Sequence, residues 1–247
     1  MPEYILVSVA WPYANADIDV GNMTGGYLPA DIFARYHRLA GNNVLMVSGS
    51  DSHGTPITVK ADAQKKTARE VFEFYHRRFL DLYLKLGLTY DLFTHTDTEN
   101  HHRVSQDMFT CLLENDYLRL DRQKVWYSPS EKRYLPDRYV EGECYICHYP
   151  NARGDQCDNC GNLLDAIQLI NPRSKNDGST PVLRETEHYF LDLPKLSPDL
   201  RAYLNAGKDH WRGNVITFAR NQVAEGELLP RPITRDIDWG IPVPLEG

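Results

Sequence analysis

The 247-residue sequence predicts an α/β protein: a parallel sheet interrupted by an inserted β-rich module that binds metal. Three observations predict it. Apolar, β-branched runs at residues 3–10 (EYILVSVA) and 43–48 (NVLMVS) read as buried parallel strands, and a helical repeat lies between them. Beyond Asp116 helical periodicity fades into short aromatic pieces broken by Pro129, Pro136, Pro150, Pro172 and Pro181. Four of the five cysteines crowd between Cys144 and Cys160, inside that stretch.

The first strand runs into the turn Pro12-Tyr13-Ala14-Asn15. Leu28, Ile32, Tyr36 and Leu39 then recur at helical spacing, and Gly41 sits where a C-terminal cap belongs. The second strand ends in Gly49. Tyr13 and Asp51 therefore each follow a strand, at the carboxyl ends where a doubly wound sheet holds its ligand. Thr67 and Glu70 form a capping box ahead of Val71, Tyr75, Phe79, Leu82 and Leu86. Thr96 and Glu99 predict the same ahead of Val104, Met108, Cys111 and Leu112. Cys111 falls on the apolar face of that helix, which predicts a buried, inert thiol. His53 is read as capping or bonding the backbone of its own Gly-containing loop.

Composition bounds the function. Apolar residues make up 42% and charged residues 25%, the balance of an ordinary globular protein. No run approaches the roughly 18 apolar residues of a spanning helix, and the start lacks a basic segment with a cleavage site, so a cytoplasmic protein without membrane contact is expected. A net charge of −7 argues against general coating of nucleic acid.

Cys144-x2-Cys147, then Cys157-x2-Cys160-Gly161, gives two thiolate pairs on tight turns, the spacing of a tetrahedral site. Four soft thiolates favour Zn²⁺ and leave no open position, so the site reads as structural; an iron–sulfur cluster is the weaker alternative. Acids outnumber Arg138 and Arg153 around this knuckle, which speaks against phosphate binding there.

Together the motifs resemble the methionyl-tRNA synthetase family of class I aminoacyl-tRNA synthetases. The residues that carry it are AWPYAN from Ala10, GSDSHGTPI from Gly49, LPDRYVEG from Leu135, ARGDQCDNCG from Ala152 and RPITRDIDWGIPVP from Arg231. The resemblance implies ATP-dependent activation of methionine and transfer to tRNA, on a class I Rossmann-type sheet with a zinc-knuckle connective domain. It implies the N-terminal half of the core at residues 1–115, a connective insertion at 116–230 with its knuckle at about 137–165, and a return to the core at 231–247. Ala10, Trp11, Tyr13 and Asp51 would contact methionine, Asp51 through its ammonium group. Arg235 would stand near the reacting carboxylate and phosphate and, with Asp51, serve catalysis. Asp19, Gly21 and Asn22 would meet ATP with its Mg²⁺. The zinc would be structural, held by Cys144, Cys147, Cys157 and Cys160.

Two departures stand out. Asp19 replaces the leading histidine of the family's His-x-Gly-His or His-x-Gly-Asn signature, setting a carboxylate against phosphate. After Pro244 the family continues into the second half of its core with a Lys-Met-Ser-Lys-Ser loop, so a complementing C-terminal half is an expected partner. An alternative reading is an inactive, truncated paralogue that binds methionine or the tRNA acceptor without activating it. A third treats the knuckle as a zinc module for RNA or protein contacts.

Overall fold

The computed structural model describes residues 1–245 other than Glu225 and Glu227. Those two positions of the expected insertion, and Glu246 and Gly247 of the expected return segment, lie outside the described residues. Strands β1 (Tyr4–Ser8) and β2 (Asn43–Ser50) pair in parallel, Tyr4 opposite Asn43 and Ser8 opposite Val47. β3 (Leu92–His95) joins the other edge of β2, with Val47 opposite Leu92. The connections are helical. Between β1 and β2 run α1 (Val20–Asn22), a π turn at Met23–Tyr27 and α2 (Leu28–Leu39); between β2 and β3 run α3 (Thr55–Gln64) and α4 (Ala68–Leu86). The Thr67–Glu70 capping box forms as the sequence predicts, and Gly87 closes α4 in a left-handed cap.

Met46, Ile57, Val71 and Phe79 are fully buried between this sheet and its helices, with Tyr27, Phe72 and Tyr83 around them. One carboxylate ties the layer together. Asp31 of α2 accepts hydrogen bonds from the Thr89 backbone N–H at 2.7 Å and from Arg35 Nε at 2.6 Å. The opposite sheet face carries Tyr4, Leu6, Leu45 and Leu92 exposed. The three strands are all parallel in the order β1-β2-β3, with helices in both connections, as expected for the first half of a Rossmann-type sheet.

The next helix departs from expectation twice. α5 (Glu99–Glu114) is capped by Thr98, whose hydroxyl accepts the His101 N–H, and not by Thr96. Thr96 donates its backbone N–H to Ser50 O at 3.1 Å and so still belongs to the sheet ladder. Cys111 is exposed, as are Val104 and Met108, because α5 buries Phe109 against Tyr189 instead of its apolar stripe.

Beyond it, β4 (Leu118–Ser128) pairs along its length with β9 (Val182–Leu191), flanked by β5 (Arg133–Leu135) and β10 (Arg231–Pro232) in the order β10-β9-β4-β5. A smaller sheet of β7 (Ala152–Arg153), β6 (Val140–Glu143) and β8 (Ile170–Ser174) carries the cysteine turns. The fading of helical periodicity holds only as far as Leu191. α6 (Leu193–Asn205) and α7 (Gly213–Gln222) follow, hidden in the sequence by Pro194 and Pro198. Pro194 falls in the first turn, where its missing N–H costs nothing, and Asp192 caps the helix through the Lys195 N–H.

Candidate active site

The two strand ends are locked together. Asp51 N–H donates to Pro12 O at 2.8 Å and Ala14 N–H to Asp51 O at 3.1 Å, so a Tyr13–Asp51 bridge extends the β1–β2 ladder past both strands. Two glycines make room for the aromatic side chains there. A Cβ on Gly49 would stand 2.6 Å from the Trp11 ring and 2.7 Å from Thr94 O. A Cβ on Gly54, whose φ is +121°, would stand 2.9 Å from the Tyr13 ring.

A cleft of about 570 Å³ opens at these strand ends. Asp51, His53, Gly54, Thr96 and His101 line one wall; Ile233, Arg235, Trp239 and Pro242 line the other. The second wall is the segment after β10, led back from the long hairpin. Ile233 N–H bonds Tyr189 O at 2.8 Å, the Trp239 indole N–H bonds Ser52 O at 2.6 Å, and Gln106 bonds Pro242 O at 2.9 Å.

Asp51 is half-buried in this cleft, accepting the His53 N–H at 3.2 Å and facing the Thr96 hydroxyl at 3.4 Å. Burial raises its carboxyl above the usual carboxylate value, against the pull of those two donors and of His101. Among the described residues it has no ion-pair partner. A carboxylate in this state lacks a cation.

The remaining expected site residues lie around this floor. Ala10 is exposed at the end of β1, Trp11 is partly buried over Gly49, and Tyr13 is 45% exposed over Gly54. Asp19 caps α1: its carboxylate accepts the Asn22 N–H at 2.6 Å, so the first free donor of the helix is already taken by an anion of the chain itself. Gly21 and Asn22 are exposed beside it. Arg235 is exposed on the rim shared with a second cavity of about 480 Å³. Asp137, in that second cavity, has its carboxyl raised by burial and drawn down by the Arg235 charge. Sequence reasoning missed Thr96, His101, His102, Asp97 and Trp239 as site residues; only Trp239 left a signal, as the one aromatic of the RPITRDIDWGIPVP stretch.

The four cysteine sulfurs lie within 4.8 Å of one another, Cys144 to Cys160 at 4.0 Å and Cys147 to Cys157 at 3.6 Å. The two turns have the same construction. His148 N–H bonds Cys144 O and Gly161 N–H bonds Cys157 O, with His148 at φ +59° and Gly161 at φ +73°. The Ile146 N–H and the side-chain amides of Asn159 and Asn162 point at sulfurs, as donors do around metal-bound thiolates. Four converging sulfurs with these donors fit a tetrahedral Zn²⁺.

The family model described as tRNA synthetases class I (M) matches residues 5–247. The chain is 57% identical over 247 residues to the methionine–tRNA ligase of Thermomicrobium roseum and 54% identical to that of Roseiflexus castenholzii. In both cases all of this chain matches 42% of the relative, so it spans about two fifths of their length. A solved Mycobacterium tuberculosis methionyl-tRNA synthetase bound by methionyl-adenylate superposes with a TM-score of 0.70 at 23% identity, over 99% of this chain and 43% of that one. That likeness carries the fold. The chain belongs to the methionyl branch of the class I tRNA synthetases.

Proposed function

We propose that this chain forms the methionine-holding part of a methionine–tRNA ligase, in which methionine is activated with ATP and passed to tRNA. The observation that carries the reading is Asp51, a half-buried carboxylate at the sheet's carboxyl end with no cation partner among the described residues. The ammonium group of an amino acid supplies that cation, and Asp51 orients the substrate through it. Ala10, Trp11 and Tyr13 form the wall that meets the methionine side chain. Arg235 swings from the rim toward the substrate carboxylate and α-phosphate, where a guanidinium neutralises charge that builds in the transition state.

ATP with its Mg²⁺ meets the start of α1, where Gly21 lets the nucleotide approach and Asn22 offers donors. Asp19 has to leave its cap position, or share Mg²⁺, before phosphate can take the Asn22 N–H. Zn²⁺ on Cys144, Cys147, Cys157 and Cys160 would hold the two turns in shape and contribute folding free energy. Residues 1–115, 116–230 and 231–247 act as half core, connective insertion and return segment, with the rest of the core and tRNA as partners, in the cytoplasm. No described helix is long and apolar enough to cross a membrane.

The Asp19 cap favours a second reading, in which the chain binds methionine or the tRNA acceptor without activation, because the Asn22 N–H proposed for phosphate is already held by the chain's own carboxylate. Methionine-dependent exchange of pyrophosphate into ATP separates the two. Exchange that vanishes in Asp51→Asn supports activation. Methionine binding without exchange supports the second reading, and binding of neither methionine nor the tRNA acceptor removes both.

A further inference from the structure

At the edge of the cleft, beside the wall that His53 helps to line, three side chains converge that the proposed amino-acid activation does not use. His53 comes from the loop after β2, Asp97 from the turn after β3, and His102 from the first turn of α5. Asp97 Oδ1 lies 3.5 Å from His53 Nε2 and 3.3 Å from His102 Nε2. All three ligand atoms fall within 4.8 Å of one another. The Asp97 side chain is only 4% exposed, and both imidazole nitrogens are shielded from water without a hydrogen-bond partner. Both imidazole nitrogens thus face one buried carboxylate oxygen, at distances beyond the usual hydrogen-bond range.

The spacing is long for a hydrogen bond and matches a coordination shell. Tetrahedral bonds of about 2.0–2.1 Å put neighbouring ligand atoms about 3.3–3.4 Å apart. The surroundings hold the ligands in this aim. Arg69 NH1 grips the other Asp97 oxygen at 2.7 Å, and the same guanidinium lies 5.3 Å over the Trp239 ring. The His53 ring packs 5.3 Å from Trp239 and 5.4 Å from His102.

We propose that His53 Nε2, Asp97 Oδ1 and His102 Nε2 form a second metal site, separate from the cysteine knuckle, for a borderline divalent cation, foremost Zn²⁺. Two imidazoles and one carboxylate suit Zn²⁺ or Co²⁺ over Mg²⁺ or Ca²⁺, which take oxygen shells. The fourth position is left to water or a substrate group. The Asp97–Arg69 pair is the outer contact that fixes the carboxylate. Such an ion would tie the loop that carries Asp51 to α5, so its effect on the cleft is to fix that loop.

The test uses the 247-residue chain with its knuckle already filled by Zn²⁺. Further Zn²⁺ is titrated by calorimetry, and retained metal is counted after gel filtration by mass spectrometry. Two equivalents per chain are expected, falling to one in His102→Gln and in Asp97→Asn, with at least about a tenfold loss in affinity at the second site. His210→Gln keeps two. A single equivalent in the unaltered chain overturns the site, as does a second one indifferent to both substitutions. If either variant fails to fold, X-ray absorption on the unaltered chain decides: a nitrogen and oxygen shell near 2.0 Å for half of the zinc supports the site, and sulfur alone around all of it overturns it.

Discussion

Asp51→Asn removes one negative charge and keeps the shape of the cleft floor. The amide oxygen still accepts the His53 N–H and the Thr96 hydroxyl. What is lost is the attraction for an ammonium group. At about 4 Å and an effective dielectric near 20, that attraction is about 4 kcal/mol. Asp51 is half-buried and the cleft opens to solvent, so about 2–3 kcal/mol is the figure to expect after screening. Methionine affinity should fall roughly 30- to 150-fold. Calorimetric titration reads this directly, and 4-(methylthio)butanoate, which is methionine without its ammonium group, closes the cycle. The unaltered chain should discriminate against this analogue by the same factor, and the Asn variant hardly at all. Because burial raises the Asp51 carboxyl, removing its charge should leave the melting temperature unchanged or higher. A lost ligand with a retained fold cannot be misread as unfolding. Methionine affinity within threefold of the original in Asp51→Asn, or equal affinity of the chain for the two ligands, would rule out Asp51 as the ammonium partner.

Four further outcomes follow from other contacts. Asn159→Ala deletes a donor to Cys147 and should weaken Zn²⁺ binding at the knuckle by about 10- to 100-fold in a chelator competition. Asp31→Ala should cost about 1–3 kcal/mol in denaturant melts, since the Thr89 N–H loses its acceptor while half-exposed Arg35 keeps the Gly87 carbonyl. Burial raises the Asp31 carboxyl, but its bonds from Thr89 and Arg35 outweigh that and hold it below the usual value; its stabilisation is present above the unfolded carboxyl value and disappears as pH falls through the folded one, a slope that Asp31→Ala should flatten in acid melts. His76 is kept neutral by burial down to about 4, so between the ordinary histidine value and 4 the unfolded chain takes up a proton that the fold refuses, and stability should drop with falling pH across that window, less so in His76→Gln. Gly49→Ala drives a Cβ into Trp11 and Thr94 O, and about 1–3 kcal/mol of destabilisation in thermal melts should accompany weaker methionine binding.

The parts of the molecule that local chemistry dictates were legible in the sequence. Strand runs, the Thr67 capping box and the paired cysteine spacing each need only residues a few positions apart, and each forms as read. Asp51 and Tyr13 were legible because strand ends are where an open parallel sheet exposes side chains, and the Tyr13–Asp51 bridge brings them together. What local reading missed depends on distant partners. Thr96 looks like a helix cap until Ser50, 46 positions earlier, claims its N–H for the sheet. Cys111 sits with Val104 and Met108 on an apolar stripe that is exposed among the described residues, while Phe109 meets Tyr189. Trp239 closes the cleft through Ser52, a pairing across 187 positions that no periodicity encodes. Asp97 and His102 join His53 only because β2 and β3 are neighbours in the sheet.

The proposed function rests on the cleft at the ends of β1 and β2 holding an amino acid by its ammonium group. A crystal structure of the chain grown with saturating methionine tests it most directly. Methionine should lie in the cleft between Tyr13 and Trp239, its nitrogen about 2.7–3.2 Å from the Asp51 carboxylate. Methionine bound elsewhere, or an Asp51 paired with a cation of the protein while methionine sits in the cleft, would contradict it.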